Sequence, residues 1–99
     1  MTEEELNDLA YIHRITLVYF KHPKHLNALM HTSNRFVRKE VAEHGTDKHR
    51  DILAHDPDWL VRKEVAKHGN EHHARALLKD LHQHVQYYAY LRLKKLGYK

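Results

Sequence analysis

The sequence predicts an all-α fold, a small α-solenoid of short two-helix units stacked at a fixed period. Two observations carry that expectation. Phe36-Val-Arg-Lys-Glu-Val-Ala-Glu-His-Gly45 returns as Leu60-Val-Arg-Lys-Glu-Val-Ala-Lys-His-Gly69, with eight of ten positions identical and an offset of 24 residues. A fixed internal period means copies of one small unit stacked on each other rather than one irregular core. The register also runs past the phrase. Leu29, Leu53 and Leu77 fall in one column, and Val37, Val61 and Val85 in another.

The elements follow from punctuation. Thr2 and Glu5 form a capping box. Leu6, Leu9, Ala10, His13, Leu17 and Phe20 then recur at helical spacing, so a capping helix is expected over 3–20, within an N-terminal cap of 1–22. Pro23 opens the first of three units, 23–45, 46–69 and 70–99, in one domain spanning 1–99. Ser33 stands where an N-cap or first-turn residue belongs. Thr46 and Asn70 are N-caps of short helices over about 47–55 and 71–79. Asp56 caps the following helix, with Pro57 at its first position, where a missing N–H costs nothing. That helix places Val61, Val65 and His68 on one face. Gly45 and Gly69 supply left-handed residues that end the longer helices. Val85, Ala89, Leu93 and Leu96 mark a final helix longer than the period, a cap at the other end.

Composition excludes several functions. The chain has no cysteine, so disulfides, thiolate metal sites and cysteine nucleophiles are absent. Its start, Met1-Thr-Glu-Glu-Glu-Leu, is too acidic for a signal or transit peptide. No apolar run approaches the ~18–20 residues of a membrane span. A soluble, cytoplasmic protein without a membrane partner is expected. From residue 9 onward seventeen Lys and Arg face nine Asp and Glu, which favours acidic partners or nucleic acid.

Asp56-Pro-Asp58-Trp-Leu-Val61-Arg62-Lys-Glu-Val65-Ala66-Lys-His68 resembles the leucine-rich repeat variant, a 24-residue unit of the wider HEAT-like α-solenoid class. The resemblance covers about 32–80. It implies a right-handed, curved helical stack used for binding, and no catalytic residue. It also implies that Arg62 and Asp56, six positions apart, form a structural ladder between units, with Arg38 facing Thr32 in the preceding copy. Gly45 and Gly69 depart from the family's Pro after the His, and the last copy has Val85-Gln86 in place of Val-Arg. The iron–sulfur cluster of some family members has no cysteine ligands here.

Twelve histidines invite a metal reading, which the register weakens. His25, His49 and His73 share one column, His44 and His68 a second, and His31 and His55 a third. Equivalent positions in stacked helices lie ~8–10 Å apart, whereas zinc needs nitrogens at ~2.0–2.1 Å. The remaining groupings are His22 with His25, and His68 with His72 and His73. No metal and no cofactor are expected. Unperturbed His titrates near ~6.5, so lower stability is expected below about pH 6.

Nothing resembles an active site, and no enzyme is expected. Glu40 and Glu64 are repeat copies expected on exposed helix faces. The longer helices share an outward stripe of Arg35-Lys39-Glu43, then Trp59-Lys63-Lys67, then Gln83-Tyr87-Leu91 with Lys94 beyond. Arg35, Lys39, Trp59, Lys63, Lys67, Tyr87 and Lys94 are the candidate binding residues. Trp59 and Tyr87 would anchor an acidic protein partner ringed by Lys and Arg. The second reading gives the same face to nucleic acid, with phosphates neutralised and bases stacked. Trp59 could instead cover the neighbouring unit, and Tyr88 reads as core. The function expected is therefore a non-enzymatic interaction module, an adaptor or small inhibitor, working as a monomer or weak dimer.

Overall fold

A computed structural model describes residues 23–98, with side chains from Leu26 onward. Among the described residues there are six α-helices and no strand: α1 Pro23–Leu29, α2 Arg35–His44, α3 Asp47–Leu53, α4 Trp59–His68, α5 Glu71–Leu77 and α6 Gln83–Lys95. The helix expected over 3–20, with its capping box, lies outside the described residues. So does the side chain of His25.

The longer helices lie side by side, with α4 packed between α2 and α6. The short helices α3 and α5 pack against their longer neighbours. The core is built from the columns seen in the sequence. Val37, Val61 and Val85 are buried, as are Leu29, Leu53 and Leu77, and Val41, Val65 and Ala89. Each fully buried Val or Leu contributes roughly 1.5–3 kcal/mol, so no single helix is stable without the next. The short helices end at Leu53 and Leu77, two residues before the expected limits.

The N-caps form a column of their own. Asn34 and Asp58 each accept, through Oδ1, the N–H two residues on, at 2.9 Å. His82 does the same through Nδ1, accepting from His84 at 3.2 Å. This corrects two expectations. Ser33 is not the cap of α2, which is Asn34. Asp56 is not the cap of α4, and Pro57 is not its first residue. The Asp56 carboxylate is spent elsewhere: it is buried, accepts the Asp58 N–H at 2.9 Å and receives an arginine from α2.

That arginine is Arg38. Its Nε and Nη2 donate to Asp56 at 2.8 and 3.2 Å, while Nη1 donates to the Thr32 carbonyl at 2.7 Å. One period later Arg62 repeats the pattern, with Nε and Nη2 on Asp80 at 2.7 and 3.2 Å and Nη1 on the Asp56 carbonyl at 2.7 Å. The ladder therefore runs differently from the expected Arg62–Asp56 pair. The residue six positions back offers only its carbonyl, and the carboxylate comes from eighteen positions ahead. For this reason Thr32 serves Arg38 as well as an acid would. Burial pushes the Asp80 carboxyl up, but the bonds from Arg62 and from the His82 N–H outweigh it and hold the carboxyl below its ordinary range. In the last copy Gln86 donates to the Asp80 carbonyl. It keeps the first contact of the pattern without a charge.

The glycines correct another expectation. Gly45 and Gly69 are extended, with φ of −78° and −73°, and neither is left-handed. They are small because space is missing. A Cβ on Gly69 would stand 2.7 Å from both the Val65 carbonyl oxygen and His73 Cβ, and one on Gly45 would stand 2.6 Å from the Val41 oxygen.

Besides the carbonyl oxygen, a buried histidine crowds each of them. His49 and His73 sit at the third position of α3 and α5 and are 3% and 2% exposed. Each Nδ1 accepts the N–H of its own N-cap residue, Thr46 at 3.0 Å and Asn70 at 3.1 Å. An accepting Nδ1 puts the proton of a neutral ring on Nε2. There it meets the preceding unit, Asn27 Oδ1 at 2.7 Å for His49 and Asp51 Oδ1 at 2.6 Å for His73. Glu64 is also corrected: it is 3% exposed, because α4 has neighbours on both flanks, and it lies 3.3 Å from His68 and 3.7 Å from Lys67.

Two outcomes are expected. Arg62→Ala leaves the Asp80 carboxylate buried without its partner and should cost about 3 kcal/mol in urea denaturation; a cost under about 1 kcal/mol would show the rung to be dispensable. Acid should weaken the fold in a defined window. Burial, and then Arg50, lower His49 below its ordinary value; burial likewise lowers His68 against the opposing pull of Glu64 and Glu43. The unfolded chain therefore takes up these protons at higher pH than the folded one. Their contribution is complete above about pH 6.5 and is lost as pH falls through and below that value. The melting temperature should drop between pH 7.5 and 5, and an unchanged value would rule this account out.

Candidate partner-binding face

The aromatic and basic side chains gather where α4 meets α6. Trp59 opens α4 just after its cap Asp58. It is half-buried and packs against the core. His82, the cap of α6, lies flat on its ring, with centroids 4.0 Å apart and planes within 5°. His84 approaches the same ring at 5.7 Å and His82 at 5.4 Å.

One turn along α4, the Lys63 ammonium lies 5.6 Å from the Trp59 ring and 5.6 Å from the Tyr88 ring. Another turn along, Lys67 lies 5.4 Å from Tyr88 and also reaches the buried Glu64. Tyr88 is half-buried against the core and meets Tyr87 edge-on at 5.6 Å. Tyr87 is 57% exposed. Below it, Lys67, Tyr88, Leu91, Arg92 and Lys95 line a shallow hollow. Within ~6 Å of an aromatic face an ammonium gains about 0.5–1 kcal/mol at exposed sites. Both rings therefore draw the Lys63 ammonium toward this position.

The seven sequence candidates separate under this geometry. Trp59, Lys63, Lys67 and Tyr87 come together. Arg35 stands beside them but is engaged, its guanidinium 3.4 Å from Asp58 and 5.1 Å from the Phe36 ring. Lys39 lies half-buried on α2, one helix away from the α6 tyrosines. Lys94 turns to the α5 side, where it lines a hollow with Leu78, Tyr90, Leu93 and Tyr98. Sequence reasoning did not place His82, His84 and Lys95 here, and its reading of Tyr88 as core agrees with a ring packed against the core. The signal for His82 was present: it stands in the 24-residue column of Asn34 and Asp58, both N-caps, and so next to Trp59.

Two arginines close the longer helices. Arg92 donates to the carbonyls of Gly69 at 2.8 Å and His68 at 3.4 Å, closing the C-terminus of α4. Arg50 does the same for α2 through the carbonyls of Ala42 and Glu43, at 2.9 and 3.0 Å. Next to α6, Tyr98 bonds Glu71, which Arg75 also holds at 2.7 Å. The Arg75 bond and then the Tyr98 bond lower the Glu71 carboxyl, and the Glu71 bond raises the Tyr98 phenol. A groove of about 810 Å³ runs between α3 and α5 past His55, His72 and Lys79, and it contains none of the seven candidates.

The expected His68, His72 and His73 grouping does not form a ligand set. His73 is committed to Asn70 and Asp51, and His68 lies beside Glu64. Among the described residues the one group of three metal-capable side chains is Glu40, Glu43 and His44, with ligand atoms within 4.8 Å of one another. His44 Nε2 stands 3.4 Å from Glu40 and 3.6 Å from Glu43, the spacing of ion pairs within one helix.

Against known proteins, the chain matches no family model, no curated protein and no solved structure. Among the described residues no helix is long and apolar enough to cross a membrane.

The geometry separates the two aromatics by role. Trp59→Ala removes a ring packed on the core and stacked by His82, and should destabilise the fold by about 3 kcal/mol. Tyr87→Ala should stay within about 0.5 kcal/mol of the parent. Equal costs in thermal denaturation would contradict this division.

Proposed function

We propose that the chain is a non-enzymatic interaction module that docks an acidic protein surface on the face between α4 and α6. In this reading it is a small right-handed α-solenoid of the leucine-rich repeat variant type, with units 23–45, 46–69 and 70–99 and a cap over 1–22. It acts in the cytoplasm as an adaptor or a small inhibitor of a larger partner. The observation that carries the reading is Lys63 held between the Trp59 and Tyr88 rings, with exposed Tyr87 beside them. A pre-positioned cation next to an exposed aromatic loses little freedom on binding, so more of its interaction appears as affinity.

Nucleic acid is the second reading, and one contact weighs against it. Base stacking needs an open aromatic face. His82 already covers the Trp59 ring at 4.0 Å, so a base would have to displace it. Beside it, exposed Tyr87 offers an edge to a single base.

The test is capture from the native cell with tagged protein, with and without nuclease. The comparison chain carries Lys63→Glu with Lys95→Glu, which spares Lys67 and its contact with buried Glu64. A protein retained after nuclease and lost, by at least about tenfold, with the double substitution fits the proposal. Capture that vanishes with nuclease, and falls steeply as salt rises, would turn the assignment to nucleic acid.

A further inference from the structure

The row of longer helices ends unevenly. Among the described residues α4 has a longer helix on both flanks, and α6 has one on a single flank. Tyr88 marks the covered flank of α6, because its ring receives Lys63 and Lys67 from α4. Tyr90 stands two residues on, about 200° around the helix, and so faces away from α4.

The 24-residue columns show how the same flank is used in the earlier units. The column of Tyr90 holds Ala42 and Ala66, both fully buried, whereas Tyr90 is 52% exposed. The column of Gln86 holds Arg38 and Arg62, which reach forward to the carboxylates of Asp56 and Asp80. Gln86 gives its amide N–H to the Asp80 carbonyl and has no guanidinium fork for a further unit. The flank is therefore not made to extend the row in the same register.

It is not finished for water either. The last unit of a stack stays soluble by presenting a polar outer face. Here Leu78, Tyr90, Leu93 and Tyr98 line, with Lys94, a hollow of about 280 Å³. Its far wall is fixed. Gly97, at φ 93°, turns the chain back, and the Tyr98 N–H donates to the Leu93 carbonyl at 2.9 Å. The Tyr98 phenol bonds Glu71, and the Arg75 guanidinium lies 5.4 Å from its ring.

We infer that this flank docks a second copy of the chain, with the two α6 helices antiparallel about a two-fold axis at Tyr90. Each Tyr90 ring then enters the hollow of the other copy. Charge favours a second copy over a foreign partner. Lys94 is the one charged side chain lining the hollow, and it makes no ion pair among the described residues. A single ammonium among apolar groups needs one acceptor rather than a patch of acids. In an antiparallel pair centred on Tyr90, the residue four places before it faces the residue four places after it. Lys94 therefore meets Gln86 of the partner subunit, whose amide N–H is already taken and whose amide oxygen is left to accept. The contact occurs twice by symmetry, so lysine never meets lysine, as an isologous interface requires.

Area sets the strength. An aromatic side chain buries ~150–250 Å², and these are already partly covered, so each copy loses a few hundred Å². That is below the ~800 Å² per partner of a standard interface, and the dimer is weak and concentration-dependent. It leaves Trp59 and Lys63, on the other flank, open, so this inference and the proposed acidic partner stand or fall separately.

The experiment is sedimentation velocity on the full chain from about 10 μM to about 1 mM, where a Kd near 100 μM is expected. Tyr90→Ala places the residue of the earlier units at an exposed position. It should weaken association at least about tenfold while circular dichroism and melting temperature stay at the parent's values. Lys63→Glu with Lys95→Glu should leave association unchanged. A parent that stays monomeric at the highest concentration overturns the inference. So does a dimer that survives Tyr90→Ala, one that is lost with Lys63→Glu and Lys95→Glu, or growth beyond the dimer, which a closed two-fold contact forbids. Crosslinking checks the register independently, because the chain has no cysteine of its own. Gln86→Cys mixed with Lys94→Cys should form the mixed disulfide under mild oxidation faster than Lys48→Cys, exposed on α3, pairs with itself. Equal rates would rule out the antiparallel pairing.

Discussion

A planar guanidinium that must satisfy two neighbours at once fixes the spacing of this molecule. Arg38 and Arg62 each hold a carbonyl six residues back and a carboxylate eighteen residues ahead. Both demands can be met only when the turn before the arginine's own helix and the turn before the next longer helix are in register. A lysine would supply the charge without the fork. The energetic return of such a partly buried pair is modest, since desolvation offsets much of the attraction. Its geometric content is larger. It sets α2, α4 and α6 side by side, and that placement brings residues from α4 and α6 into one aromatic and basic face.

The histidine bridges act in the opposite direction along the chain. His49 and His73 each tie the start of a short helix to the short helix before it. The arginines link forward and the histidines link back, so every junction among the described units is tied on two sides. The conspicuous histidine content is thus partly architectural. The rings of His49 and His73 are hydrogen-bonded in full, whereas His82 caps α6 and stacks on Trp59.

The columns of apolar residues, the two short helices and their caps were legible in the sequence, because they depend on local spacing and on one period. Asp56 was misread because Asp-Pro-Asp offers two acids for one cap. The choice between them was made by Arg38, eighteen residues away. Gly45 and Gly69 were read as conformational devices when the constraint is volume, set by a carbonyl oxygen of the preceding helix and by the next helix's histidine. Glu64 looked exposed because nothing in its own helix shows that α4 is flanked on both sides. At the face, Trp59, Lys63, Lys67 and Tyr87 were found from helical spacing. Lys94 lies apart from these four while Lys95 lines the hollow with Lys67 and Tyr88, a difference of about 100° around one helix. His82 was missed because a capping residue was not expected to reach across to the neighbouring helix's tryptophan.

The space left by each glycine has a consequence for how this sequence can change. Gly69 and the His73 ring occupy one volume, as do Gly45 and the His49 ring. Neither position of a pair can be judged alone. A methyl group at the glycine meets both the histidine side chain and a backbone carbonyl oxygen, Val65 or Val41, so replacing the histidine relieves only part of the crowding. The two members of each pair are in contact and so couple in a double replacement, while the backbone oxygen still opposes a side chain at the glycine. An insertion or deletion that shifts one by a residue relative to the other separates the ring from the gap that admits it.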